Sequence, residues 1–286
     1  MPARDIDLDL PRRRLAARAW GDPLLPPLLA LHGWLDNAAS FDALAPLLSA
    51  DFHIVALDFP GHGRSDWRPP GIWYHFIDYL DDVLAAADAL RWPRFGLLGH
   101  SLGGAIASAL AAVCPERVER LLLIEALGPI TLEADATLPH LKRAVAERGA
   151  AAGKTPRVFA TLDEAIAARM RANDLSHAAA AALVARGTRP VPGGLTWSSD
   201  PRLTLTSPMR YTEEQVLAVL RGIRAPTALV LAQPEQPYLS RAVMQQRIDA
   251  VVDIRVRRLP GSHHLHLENA PAVAAALAAL MHLAGR

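Results

Sequence analysis

The stretch Gly99-His100-Ser101-Leu102-Gly103, followed by Gly104, fits the pattern G-x-S-x-G. It lies between the apolar run Phe95–Leu98 and the small-residue run Gly103–Ala112, so it reads as a strand, a sharp turn and a helix. Such a turn pushes the serine hydroxyl out at the C-terminal edge of a sheet, where open α/β sheets place their ligands. The flanking glycines leave room for neighbouring chain, and the helix N-terminus offers positive dipole to an oxyanion. The chemistry indicated is nucleophilic attack by Ser101. A serine hydroxyl needs a base to take its proton, and an imidazole base needs a carboxylate to orient it. Of the eleven histidines, His263, His264 and His266 follow the run Arg255–Gly261. A metal reading of these three is set aside, because no cysteine or carboxylate cluster completes a site near them. His32, His62 and His100 read as structural members of turns. Two carboxylates stand out. Glu125 ends the apolar run Leu121–Ile124, where burial is costly unless the group is partnered. Glu235 lies in the loop after Thr227–Ala232.

The elements that must hold these residues alternate along the chain. Strands are expected at 27–34, 53–63, 94–101, 117–127, 225–233 and 252–261, and helices at 74–90, 102–113 and from Ala270. Strand–helix alternation implies an α/β fold with a mostly parallel sheet and helices on both faces. The rhythm breaks at Gly128-Pro129. Residues 130–186 are Ala- and Arg-rich with no clear strand, and 189–203 are rich in turn formers. The expected organisation is a core of 1–127 and 216–286 with a helical cap, 128–215, inserted between two strands.

Lys and Arg number 30 against 29 Asp and Glu in 286 residues, which argues against nucleic acid or an anionic membrane as partner. The first twenty residues are charged throughout, unlike a signal peptide, and the apolar stretch near the C-terminus is too short for a membrane span. The single cysteine, Cys114, rules out an intramolecular disulfide and reads as a small packing residue. The expectation is a cytoplasmic monomer or homodimer acting on a small molecule.

The motifs resemble, in order, those of the α/β-hydrolase superfamily: His32-Gly33-Trp34, then Asp58 to Asp66, then Gly99 to Gly104, then Gly261-Ser262-His263 before Glu268. The runs around Leu121–Pro129 and Gly261–Asn269 are similar to the group called serine hydrolase-like proteins. The resemblance implies an α/β-hydrolase fold and the chain order nucleophile, acid, histidine. It points to His263 as base, five residues before Glu268, with His264 in reserve. It also implies an oxyanion hole from the backbone N–H groups of Trp34 and Leu102. The family's usual acid position aligns with Gln236, so the acid moves either to Glu125, the preferred reading, or to Glu235. Haloalkane dehalogenases place their acid after the strand that Glu125 ends.

Those dehalogenases and the epoxide hydrolases carry aspartate at the elbow, and serine there implies acyl transfer to water with no metal or organic cofactor. The expected substrate is a small or medium acyl ester under an apolar cap whose aromatics are Phe159, Trp197 and Tyr211. Two alternatives stand beside it. One is C–C, thioester or perhydrolytic chemistry by the same triad, and the other is a catalytically silent binding protein on the same fold.

Overall fold

The computed structural model describes residues 3–150, 157–235 and 240–281. Its larger sheet has eight strands: β1 (Arg4–Leu10), β2 (Arg13–Trp20), β3 (Pro27–Leu31), β4 (His53–Leu57), β5 (Phe95–His100), β6 (Val118–Ile124), β10 (Thr227–Gln233) and β11 (Ile254–Pro260). They lie side by side in the order β1-β2-β4-β3-β5-β6-β10-β11. From β4 to β11 neighbours run parallel, while β2 is antiparallel to both β1 and β4. The six strands expected from apolar runs are the six parallel ones.

Parallel strands are buried on both faces, and alternate residues divide between two cores. Leu29, Leu31, Val55, Leu57, Leu121 and Leu123 pack beneath α2 (Asp78–Ala89), α3 (Leu102–Val113) and α7 (Glu213–Leu220). Leu28, Ala30, Ile54, Ala56, Leu122 and Ile124 pack on the opposite face beneath α1 (Ala45–Leu48) and α10 (Ala270–Leu280). Helix α3 matches its expected range, and Cys114 caps its C-terminus as a free thiol.

Between β6 and β10 the chain leaves the sheet. This segment holds α4 (Thr137–Ala150), α5 (Leu162–Asn173) and α6 (His177–Gly187). Thr161 and Ser176 cap α5 and α6 by accepting from the N–H groups of Glu164 and Ala179. Phe159, Ile166, Leu175, Leu183 and Val184 form a small separate core there, so much of the segment's apolar content packs on itself. The segment also holds three short antiparallel strands, β7 (Val158–Phe159), β8 (Thr188–Val191) and β9 (Gly194–Trp197), where only helices and turns were expected. The strands are too short to show a period, and Pro190, Pro192, Gly193 and Gly194 mask them as turn. Helices α8 (Arg241–Asp249) and α9 (Leu265–Glu268) follow β10 and β11.

Candidate active site

Ser101 sits between β5 and α3 with φ 52° and ψ −116°, a strained conformation for a residue with a Cβ. Its N–H donates to the Ile124 carbonyl at 3.1 Å and its carbonyl accepts from Ala105 N–H at 3.0 Å, so strand and helix fix the turn from both sides. A Cβ at Gly103 would stand 1.9 Å from the Leu31 carbonyl oxygen. The glycine therefore lets α3 begin against the end of β3, and its N–H donates to the His32 carbonyl at 3.0 Å. This contact lays the Gly33-Trp34 loop beside the elbow. Leu102 opens α3, so its N–H has no acceptor within the helix.

Glu125 follows β6 with φ 57°. Its N–H donates to the Val230 carbonyl at 2.9 Å, and the chain then turns its side chain toward the ends of β10 and β11. One carboxylate oxygen accepts from Ala232 N–H, and the other lies 3.4 Å from His263 Nδ1. The carboxylate is buried, whereas the His263 ring is partly open to solvent. With Nδ1 donating to Glu125, the proton-accepting lone pair of a neutral His263 is the one on Nε2. The loop carrying His263 lies against the elbow, because His100 Nε2 donates to the His263 carbonyl at 2.8 Å.

The other candidates are placed differently. Glu235 is exposed and faces Arg241 Nε at 3.6 Å. Gln236 lies outside the described residues. His264 is buried with Nε2 directed at Asp36 Oδ2, 3.5 Å away. His266 is fully buried and shares a hydrogen bond of 2.8 Å with Ser40 Oγ. The side chain of Trp34 is half-exposed, and its indole N–H donates to the Leu203 carbonyl at 3.0 Å.

Asp36 was not anticipated as a site residue. It is buried, and its Oδ2 faces His264 Nε2 at 3.5 Å, His100 Nδ1 at 3.7 Å and Ser40 Oγ at 3.4 Å. Burial disfavours its charge, but His264 and the Arg169 guanidinium override that and hold its carboxyl well below the usual range. Burial pushes His100 down to about 4, so that ring is neutral at physiological pH. Asp36, His100 and His264 bring three ligand-type atoms within 4.8 Å of one another, supplying a carboxylate that the sequence reading of the late histidines lacked. The Arg169 guanidinium already pairs with Asp36 Oδ1. It provides the charge neutralisation that a cation would otherwise bring, and the cluster reads as a hydrogen-bonding junction. In the sequence Asp36 is one acid in a loop, with no periodicity or motif to single it out.

A serine at a strained strand–helix turn, with a buried carboxylate on an adjacent histidine, coincides with what the comparisons return. Residues 26–254 match the α/β hydrolase fold family. The chain belongs to that family. A serine hydrolase-like protein of Danio rerio is 32% identical over 96% of this chain and 87% of its own length, which places the chain in the serine hydrolase-like group. The crystal structure of a hypothetical protein from Pseudomonas aeruginosa PAO1 is 44% identical, covering 97% of this chain and 99% of that one with a TM-score of 0.92. A thioesterase domain from the curacin biosynthetic pathway is 26% identical, covering 97% and 99% with a TM-score of 0.84. This α/β hydrolase is thus of the serine hydrolase type. Among its described residues no helix is long and apolar enough to cross a membrane.

Proposed function

We propose that this hydrolase cleaves small or medium acyl esters through an acyl-enzyme on Ser101, with His263 as base and Glu125 as the orienting acid. The observation that carries the proposal is the buried Glu125 carboxylate 3.4 Å from His263 Nδ1. His263 Nε2 takes the Ser101 proton as Oγ attacks the carbonyl carbon. The N–H groups of Trp34 and Leu102 stabilise the oxyanion. Collapse expels the alkoxide, which leaves with the proton from His263. Water then repeats the sequence on the acyl-enzyme, releasing the acid and restoring Ser101. Residues 128–215 act as the cap that excludes water and shapes the acyl pocket.

The test is turnover of p-nitrophenyl acetate and butyrate, with covalent labelling by a fluorophosphonate. Wild type is expected to do both, and Ser101→Ala neither. A wild type that neither labels nor turns over would overturn the esterase reading. The likeness to a thioesterase domain supports a second reading, hydrolysis of an acyl thioester by the same residues. A kcat/KM for the matched acetyl thioester well above that for the oxygen ester would favour it.

A further inference from the structure

The loop expected to donate the first oxyanion N–H is bonded to the segment between β6 and β10 at four consecutive residues. Trp34 donates its indole N–H to the Leu203 carbonyl at 3.0 Å. The Leu35 carbonyl accepts from Arg169 Nη1 at 3.2 Å, and Asp36 Oδ1 accepts from Arg169 Nη2. Asn37 Nδ2 donates to the Leu183 carbonyl at 2.8 Å. Leu35 has φ 59°, a conformation that neighbouring contacts must hold in place. Arg169 is the residue that grips both Leu35 and Asp36, and it comes from α5.

Asp36 then connects this grip to the rest of the site. Its second oxygen faces His100, the neighbour of Ser101, and His264, the neighbour of His263. His100 closes the circuit through its 2.8 Å hydrogen bond to the His263 carbonyl. The elbow, the base loop and the oxyanion loop therefore meet at one buried carboxylate, and its charge partner is a guanidinium borne by the cap.

We infer that Arg169 is a positioning residue for hydrolysis: from cap helix α5 it holds Leu35 and Asp36, and so sets the Trp34 N–H and the His263 loop relative to Ser101. Docking of the cap and assembly of the site become one event. The inference rests on the serine-hydrolase reading with Trp34 in the oxyanion hole. Arginine suits the task because its planar fork reaches two acceptors at once, where a lysine ammonium concentrates its charge at one point.

The experiment uses the full chain and p-nitrophenyl acetate, whose acyl group is too small to need cap contacts. Arg169→Met is expected to lower kcat roughly 10- to 100-fold, the scale of an ångström-sized misplacement, and to leave KM within about twofold. Arg169→Lys, which keeps the charge, is expected to retain the wild-type Tm while kcat falls between the two. Arg171→Ala, exposed on the same helix, should match wild type. Asp36→Asn alone should lower kcat, and combining it with Arg169→Met should cost no more than the worse single change, because both act through one junction. Multiplicative losses, a loss confined to KM, or wild-type kcat in Arg169→Lys would each overturn the inference. If Arg169→Met does not fold, the Lys variant and its combination with Asp36→Asn decide by the same criteria. Inactive wild type would sink the hydrolase reading itself, whereas an active wild type matched by both Arg169 variants would sink only this inference.

Discussion

At the residue scale the site turns on Glu125. Its carboxylate is shared between Ala232 N–H on one side and His263 Nδ1 on the other, and its own backbone is held at φ 57°. A glutamine cannot serve both. Its amide nitrogen must face one of two donors, either opposing Ala232 N–H or favouring the wrong tautomer of His263. Glu125→Gln is therefore expected to lower kcat by about 10³- to 10⁴-fold, on the scale of a triad carboxylate-to-amide change. Glu235→Gln removes one exposed pair with Arg241 and should change kcat less than twofold and stability by under about 0.5 kcal/mol. Steady-state kinetics with p-nitrophenyl acetate and a melting curve for each variant decide the matter, and the reverse ranking would move the acid to Glu235. The partnered burial of Glu125 is readable from sequence, because an ionisable residue closing an apolar run demands a partner. Asp36 is not, because apart from nearby Ser40 its neighbours come from three distant places in the chain: His100, Arg169 and His264. Contacts of that kind exist only once the sheet has been ordered.

At the element scale the proposed catalytic arrangement depends on how closely α3 starts against β3. Gly103 sits where a Cβ would come 1.9 Å from the Leu31 carbonyl oxygen and 2.8 Å from that of His32, both backbone atoms of a buried strand end. Neither can give way without shifting β3 or the helix start. Gly103→Ala is expected to cost at least about 1–3 kcal/mol of stability as overpacking, and to cut activity by displacing Leu102 N–H from the elbow. Gly149 is the contrast. A Cβ there meets nothing within 4 Å, and it lies in α4, so Gly149→Ala should be neutral or stabilising by up to about 1 kcal/mol. Denaturant melts of both variants check the pair, and equal stabilities would refute the role given to Gly103. The parallel strands are legible because burial on both faces demands unbroken apolar runs such as Leu28–Leu31 and Leu121–Ile124. The β1–β2 hairpin escapes such a reading, since its residues are charged. Its signal is alternation, Ile6, Leu8 and Leu10 against Asp5, Asp7 and Asp9, the period of a strand with one wet face. Strands β7, β8 and β9 carry neither signal; the contact between Phe159 of β7 and Trp197 of β9, ring centroids 4.9 Å apart, joins residues far apart in the chain.

At the scale of the whole molecule the outer charge is nearly balanced, but the interior is not indifferent to protons. His32, His62 and His100 are fully buried, and desolvation pushes them from 6.5 down to about 4, about 3 and about 4. His266 is also held well below its ordinary value by burial. Between pH 6.5 and about 4 the unfolded chain binds protons at these rings and the folded chain does not, so acidification favours unfolding. Each such histidine contributes a slope of about 1.4 kcal/mol per pH unit within that window. Three of them acting together would remove several kcal/mol by pH 4.5, a large part of the 5–15 kcal/mol that holds a typical domain. Asp36 acts in the same sense, because its folded pKa is also depressed, but in a lower window. Its depressed carboxyl contributes stability that is present above 3.8 and lost only as the pH falls toward its folded value. The loss between pH 6.5 and 4.5 therefore belongs to the histidines. Calorimetric melts are expected to show a Tm that is flat from pH 7 to 8 and falls steadily from pH 6.5 to 4.5. Unfolding at pH 5 should take up three to four protons, one for each of the buried rings of His32, His62, His100 and His266, read from the pH dependence of stability. A Tm unchanged from pH 7 to pH 5 would mean that these rings accept protons inside the folded protein, which contradicts their burial among Phe59, Asp36 and the elbow.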